Sequence, residues 1–144
     1  MERLLGLARR VTGTPNPSQA MDEGIKQLQR DWWYKQTDDA VKCLGNPLAL
    51  SELAIVGRLV PDGGSPLESA RTVGDLIVAC MKKLEPGDGR PPPRPFLILT
   101  GAYVEGRTTR ELMNSYQIPE KSYYNERRKG VAAIAAELQS LARQ

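Results

Sequence analysis

The sequence predicts an all-α fold. Three observations predict it. Apolar residues recur at steps of three and four, the 11 prolines all fall in breaks between those stretches, and strand signals are poor. FLILT at 96–100 is the only short β-prone run, and no Asn-Gly or Asp-Gly turn separates two alternating segments.

The elements follow in order. The start MERLLGLARRV reads as a short amphipathic helix, with Arg3, Arg9 and Arg10 opposite Leu4, Leu5, Ala8 and Val11, expected to pack onto the rest of the protein. Asn16-Pro17-Ser18-Gln19 is a helix start, with Asn16 as the cap and proline at the first helical position. Met21, Ile25, Leu28 and Trp32 then step by four, three and four, which is one core-facing stripe. Shorter helices are expected after Thr37 to Asp39, ending near Gly45, and after Ser51, carrying Leu53, Ile55, Val56 and Leu59. Ser65-Pro66-Leu67-Glu68 is a stronger start, because serine and glutamate can satisfy free backbone donors reciprocally. Its stripe is Ala70, Val73, Ile77, Cys80 and Leu84.

Composition excludes much chemistry. The chain has 144 residues, 40% apolar and 26% charged, which suits a globular protein able to build a core without disulfides or metal. It contains no histidine, so Ser-His-Asp triads, Cys-His dyads and His-ligated zinc are excluded. Cys43 and Cys80 stand in apolar stretches without CxxC spacing and read as core residues in a reducing compartment. The paired carboxylates Asp22-Glu23 and Asp38-Asp39 sit near expected helix starts, where acidic groups belong electrostatically. No P-loop, dinucleotide fingerprint or metal-ligand cluster appears, so no catalytic residue, metal or cofactor is expected. No run is long and apolar enough to span a bilayer, which leaves the cytoplasm as the expected location and no membrane as partner.

The loop EPGDGRPPPRP divides the chain. It holds too many helix breakers for a helix to cross, so the expected organisation is a helical docking or dimerisation domain at 1–84, a linker at 85–95 and a C-terminal domain at 96–144. Charge divides nearby. Residues 1–90 carry 12 basic and 12 acidic side chains, residues 91–144 carry 8 and 5, and the formal excess of +3 therefore belongs to the C-terminal part. Within it Lys121, Arg127, Arg128 and Lys129 face only Glu126.

That C-terminal part carries the functional constellation. A helix with Phe96, Leu97, Leu99 and Tyr103 should stop at Gly106. Thr108 and Glu111 form a second capping box, opening a short helix with Leu112 and Tyr116 inward. Ile118 plugs the turn, and Pro119-Glu120 starts the last helix. Two helices joined by about four residues are the helix-turn-helix geometry, whose second helix enters the major groove. From about Pro95 to Leu138 these residues resemble the region 4 helix-turn-helix of extracytoplasmic-function sigma factors and related bacterial regulators. The likeness rests on Tyr103-Val104-Glu105-Gly106, Thr109-Arg110-Glu111-Leu112, Ile118, and Ser122-Tyr123-Tyr124 with Arg127, Arg128 and Lys129. Met113 stands where a small alanine is usual and Gln117 where the turn glycine is usual, so Gln117 should take a left-handed conformation at a cost.

The resemblance implies that Tyr123 and Val131 pack inward and that Lys121, Ser122, Tyr124, Asn125, Arg128 and Lys129 reach outward along a recognition helix at about 120–130. Arginine can take guanine and asparagine adenine bidentately, while Lys121 and Ser122 suit phosphate. Thr108 and Arg110 are candidates for further backbone contacts. The expected function is a non-enzymatic transcription regulator bound to double-stranded DNA. The neutral N-terminal 90 residues lack a basic, aromatic-rich segment for melted promoter DNA.

A heptad stripe of Tyr124, Val131 and Leu138 with Arg127, Ile134 and Leu141 is expected to pack onto the N-terminal helices, a dimer seam being the sharper alternative. Few base contacts per module imply a homodimer or a protein partner. Trp32-Trp33-Tyr34 reads as core or partner-contact aromatics. The rival function is a helical interaction or adaptor module with a degenerate helix-turn-helix, weakly similar to helical segments of bacterial multidomain signalling ATPases. An RNA-binding helical domain is a third, minor possibility.

Overall fold

A computed structural model describes residues 17–62 and 64–144. The expected helix at the N-terminus and the Asn16 cap lie outside the described residues. The described chain is all-helical: α1 (Pro17–Lys42), α2 (Pro47–Leu50), α3 (Ala54–Leu59), α4 (Pro66–Lys82), α5 (Arg94–Tyr103), α6 (Thr109–Ser115) and α7 (Glu120–Ala142). The chain divides within α1 into two compact units, one ending at Trp32 and the other running from Trp33 to Gln144.

In the first unit the helical stripe is present but uncovered. Met21 is 67%, Ile25 51% and Leu28 70% exposed, so these residues are not the core face that their spacing suggests. The surrounding bonds are local surface ones, Gln27 to Asp31 at 2.8 Å and Arg30 to Gln27 at 2.7 Å. Trp32 is half-buried, whereas Trp33 is buried at 3% exposure. The core aromatic is therefore Trp33, and the Arg58 guanidinium lies 5.4 Å from the centroid of its ring.

No helix begins after Thr37. With neither proline nor glycine between Ile25 and Cys43, nothing stops α1, and it runs through Thr37, Asp38 and Asp39 to Lys42. The acidic pair is thus spent on partners rather than on a helix start. Asp39 pairs with Lys35 at 3.4 Å and Asp38 with Lys42 at 3.2 Å, one turn away in each case. The short α2, which has no apolar stripe of its own, begins with an Asn46 cap accepting from the Ala49 N–H and with Pro47 at the first helical position.

The second unit is built on α4 and α7. α4 opens with the anticipated box: Ser65 Oγ accepts from the Glu68 N–H at 3.1 Å and Glu68 Oε1 accepts from the Ser65 N–H at 3.3 Å. Its face of Ala70, Val73, Ile77, Cys80 and Met81 is buried. α4 packs on α2, α3, α5 and α7, and α7 packs in turn on α3 and α5. The buried side of α7 is Tyr123, Gly130, Val131, Ile134, Ala135 and Leu138. Val131, Ile134 and Leu138 are at most 1% exposed, so this stripe is consumed within the chain and offers no homodimer seam, while Tyr124, expected on it, is 47% exposed. Burying side chains of this size stabilises by about 1.5–3 kcal/mol each.

The Pro/Gly-rich loop at 85–95 lies inside this second unit. Lys83, after α4, pairs with Glu137 of α7 at 2.7 Å, so the chain on either side of the loop is joined directly. α5 already begins at Arg94, with Pro93 as its cap residue. Its buried face is Ile98, Leu99 and Gly101, with Phe96, Leu97 and Tyr103 only half-buried.

Candidate nucleic-acid interface

α5, α6 and α7 surround a small core of Ile98, Leu112, Ile118 and Tyr123, with Ala102, Met113 and Tyr116 against its edge. α5 ends as its sequence suggests. The Thr100 carbonyl accepts from Val104 and Glu105, the Gly101 carbonyl accepts from the Arg107 N–H at 2.8 Å, and Gly106 turns the chain at φ 73°. Arg107 then fastens the end of α6, donating to the Tyr116 hydroxyl at 3.2 Å and to Ser115 Oγ.

α6 starts with the Thr108–Glu111 box: Thr108 Oγ1 accepts from the Glu111 N–H at 3.1 Å, and Glu111 Oε1 accepts from the Thr108 N–H at 2.8 Å. The Thr108 hydroxyl is thus engaged as a cap. Residues 116–119 connect α6 to α7, and Gln117 sits at φ 53°, the left-handed conformation expected where glycine is absent. Ile118, 3% exposed, closes the turn, its N–H donating to the Met113 carbonyl at 2.9 Å. Met113 is accommodated at the edge of the core. Two glycines set how closely the helices approach. A Cβ on Gly130 would lie 2.6 Å from Leu99 Cδ1 and 3.2 Å from Pro95, and one on Gly101 would run into Leu112.

The first half of α7 separates the predicted residues into two groups. Lys121, Tyr124, Asn125, Arg128 and Lys129 are exposed and Ser122 is half-buried. Lys121, Tyr124 or Asn125, and Arg128 follow one another at steps of three and four and so share a face. Asn125 Oδ1 accepts from Arg128 Nη1 at 3.0 Å, and Lys129 lies 3.6 Å from Glu126. Arg110 is exposed on α6. Tyr123 points inward, its ring 5.1 Å from that of Tyr124 and nearly perpendicular to it.

Arg127 behaves differently from its three cationic neighbours. Its side chain is only 14% exposed, with Nη2 at 2.7 Å from Asp38 Oδ1 and Nε donating to the Tyr103 hydroxyl at 3.0 Å. Burial opposes the Asp38 charge, but the Arg127 guanidinium and then the Lys42 ammonium outweigh it and hold the carboxyl below its ordinary value. Burial likewise opposes the Arg127 charge, and Asp38 and Tyr103 overcome it, holding its pKa above the usual arginine value. Helical phase alone sets Arg127 apart from Arg128 in the sequence: Arg127 stands on the stripe with Ile134 and Leu141 that is expected to pack inward.

Among the described residues no three acidic or cysteine side chains converge as a metal site. Burial, with Glu137 nearby, pushes the Cys80 thiol up and keeps it a poor nucleophile. No helix of the described residues is long and apolar enough to cross a membrane. No family model, curated protein or solved structure matches this chain.

Proposed function

We propose that the chain is a non-enzymatic DNA-binding regulator in which α6, the turn at 116–119 and α7 act as a helix-turn-helix. The observation that carries this reading is the exposed row Lys121, Asn125 and Arg128 on the first half of a helix whose opposite face is anchored in the core. A rigid rod that presents a cation, an amide and a guanidinium along one side has the donor and acceptor set for base edges and phosphates. Lys129 and Tyr124 flank the row, and Arg110 on α6 adds a cation for the backbone. Arg127 supplies no contact in this scheme and serves to hold α7.

The test is fluorescence anisotropy of the full chain with a random duplex pool at two salt concentrations. Binding should be present at low salt and weaken steeply as salt rises, through counterion release. Absence of duplex binding at low salt removes the reading. A second reading, a protein-interaction module, is favoured by the exposed Met21, Ile25 and Leu28. It predicts co-purification with a protein partner and no retained DNA.

A further inference from the structure

We propose that the cleft bordered by α2, α4 and the end of α5 binds a free apolar α-amino acid in its zwitterionic form. The cleft has a volume of about 340 Å³, at the small end of the roughly 300–1,000 Å³ typical of ligand pockets and suited to a molecule of amino-acid size. Its apolar lining includes Leu44, Leu50 and Val78, and Leu50 is only 2% exposed, so the floor belongs to the rigid core. Tyr103 forms one wall, and that wall is held in place because its hydroxyl accepts the 3.0 Å hydrogen bond from Arg127.

Two charges of opposite sign stand in the lining, Arg71 and Asp75, one turn apart on α4 and both exposed. Among the described residues neither has an ion-pair partner, and they do not pair with each other. Both side chains lie at the cleft with their charges uncommitted and so can take a ligand. An ammonium and a carboxylate borne on one carbon match Asp75 and Arg71 at that spacing, and an aliphatic side chain then enters between Leu44, Leu50 and Val78. Gly74, between the two charges, lines the cleft over the apolar floor, where a Cβ would sit in ordinary contact with Leu50 and Leu44 at 3.7 and 3.9 Å.

The site does not depend on the DNA-binding reading. It is tested by titrating the 15N-labelled full chain with L-leucine and following amide shifts. Saturable shifts centred on Leu44, Gly74 and Val78 are expected. Arg71→Ala and Asp75→Ala, both at exposed positions, should each weaken binding by roughly five- to tenfold, as should replacing leucine by N-acetyl-L-leucinamide, which keeps the side chain but neither charge. Gly74→Met should fill the cleft between Leu44 and Leu50 and abolish the shifts. Shifts that do not saturate or do not map to the cleft overturn the proposal. So does equal binding of leucine and N-acetyl-L-leucinamide, which would make the cleft a site for an uncharged peptide side chain.

Discussion

The first half of α1 and the length of α7 present the same kind of pattern with opposite outcomes. Met21, Ile25 and Leu28 repeat at helical spacing and stand exposed, whereas Val131, Ile134 and Leu138 repeat at helical spacing and are sealed. Periodicity reports that a helix has an apolar side. What covers that side is decided by which other elements can reach it, and α7 has α3, α4 and α5 against it.

The sharpest way to break this comparison is to truncate one member of each stripe. Leu138→Ala should lower the stability of the fold by about 2–5 kcal/mol, because it leaves a cavity in a packed core. Leu28→Ala should change it by less than about 0.5 kcal/mol. Urea unfolding monitored by circular dichroism measures both, and equal losses would contradict the assignment of the two faces.

A second test bears on how α7 is held. Arg127→Met strips Asp38 of its main partner and should cost about 2 kcal/mol, less than for a fully buried pair because both side chains keep some solvent. The pair also carries a pH signature. Since the folded Asp38 carboxyl is depressed, its stabilisation is complete above about pH 4, the ordinary carboxylate value, and is lost as pH falls through the lower folded value. The urea midpoint of the wild type should therefore drop more between pH 7 and pH 3 than that of Asp38→Asn. Equal drops would deny the pair its role.

Smaller effects sharpen the picture further. Gly130→Ala gains helix propensity of about 1 kcal/mol but forces a Cβ against Leu99 and Pro95, and a net loss of about 1 kcal/mol in thermal unfolding is expected. Thr37 is fully buried, and its hydroxyl has no hydrogen-bond partner among the described residues. Thr37→Val should raise stability by up to about 1 kcal/mol, and a loss in the same assay would mean that the hydroxyl is satisfied after all.

Much of the fold is legible where short-range chemistry decides. The Ser65–Glu68 and Thr108–Glu111 boxes and the stop near Gly106 follow from interactions between residues a few positions apart, while the left-handed Gln117 is what the resemblance implies. The exposed positions of Lys121, Tyr124, Asn125, Arg128 and Lys129, opposite the buried Tyr123 and Val131, are those that the resemblance implies. Asn46-Pro47 carries the same start signature as Ser65-Pro66, yet the helix behind it is one turn long and has no stripe to announce it.

Long-range partners are not legible. The stripe marks Trp32, yet Trp33 is the buried aromatic, and the partner that Arg127 takes, Asp38, lies far away along the chain. The continuity of α1 through Thr37–Asp39 is by contrast a legible signal read the wrong way: no breaker interrupts residues 26–42, and Lys35 and Lys42 stand one turn from Asp39 and Asp38.

Adjacent arginines on α7 divide the labour, Arg127 holding the helix and Arg128, in the proposed role, reaching outward with Lys129 to the duplex. The salt dependence of duplex binding by Arg128→Ala/Lys129→Ala, read beside its urea midpoint, tests this most directly. With two fewer cations on the phosphates, the slope of log K against log salt should flatten by up to roughly 1.8 while the midpoint stays within error of the wild type. An unaltered slope and affinity in that double variant would contradict the division.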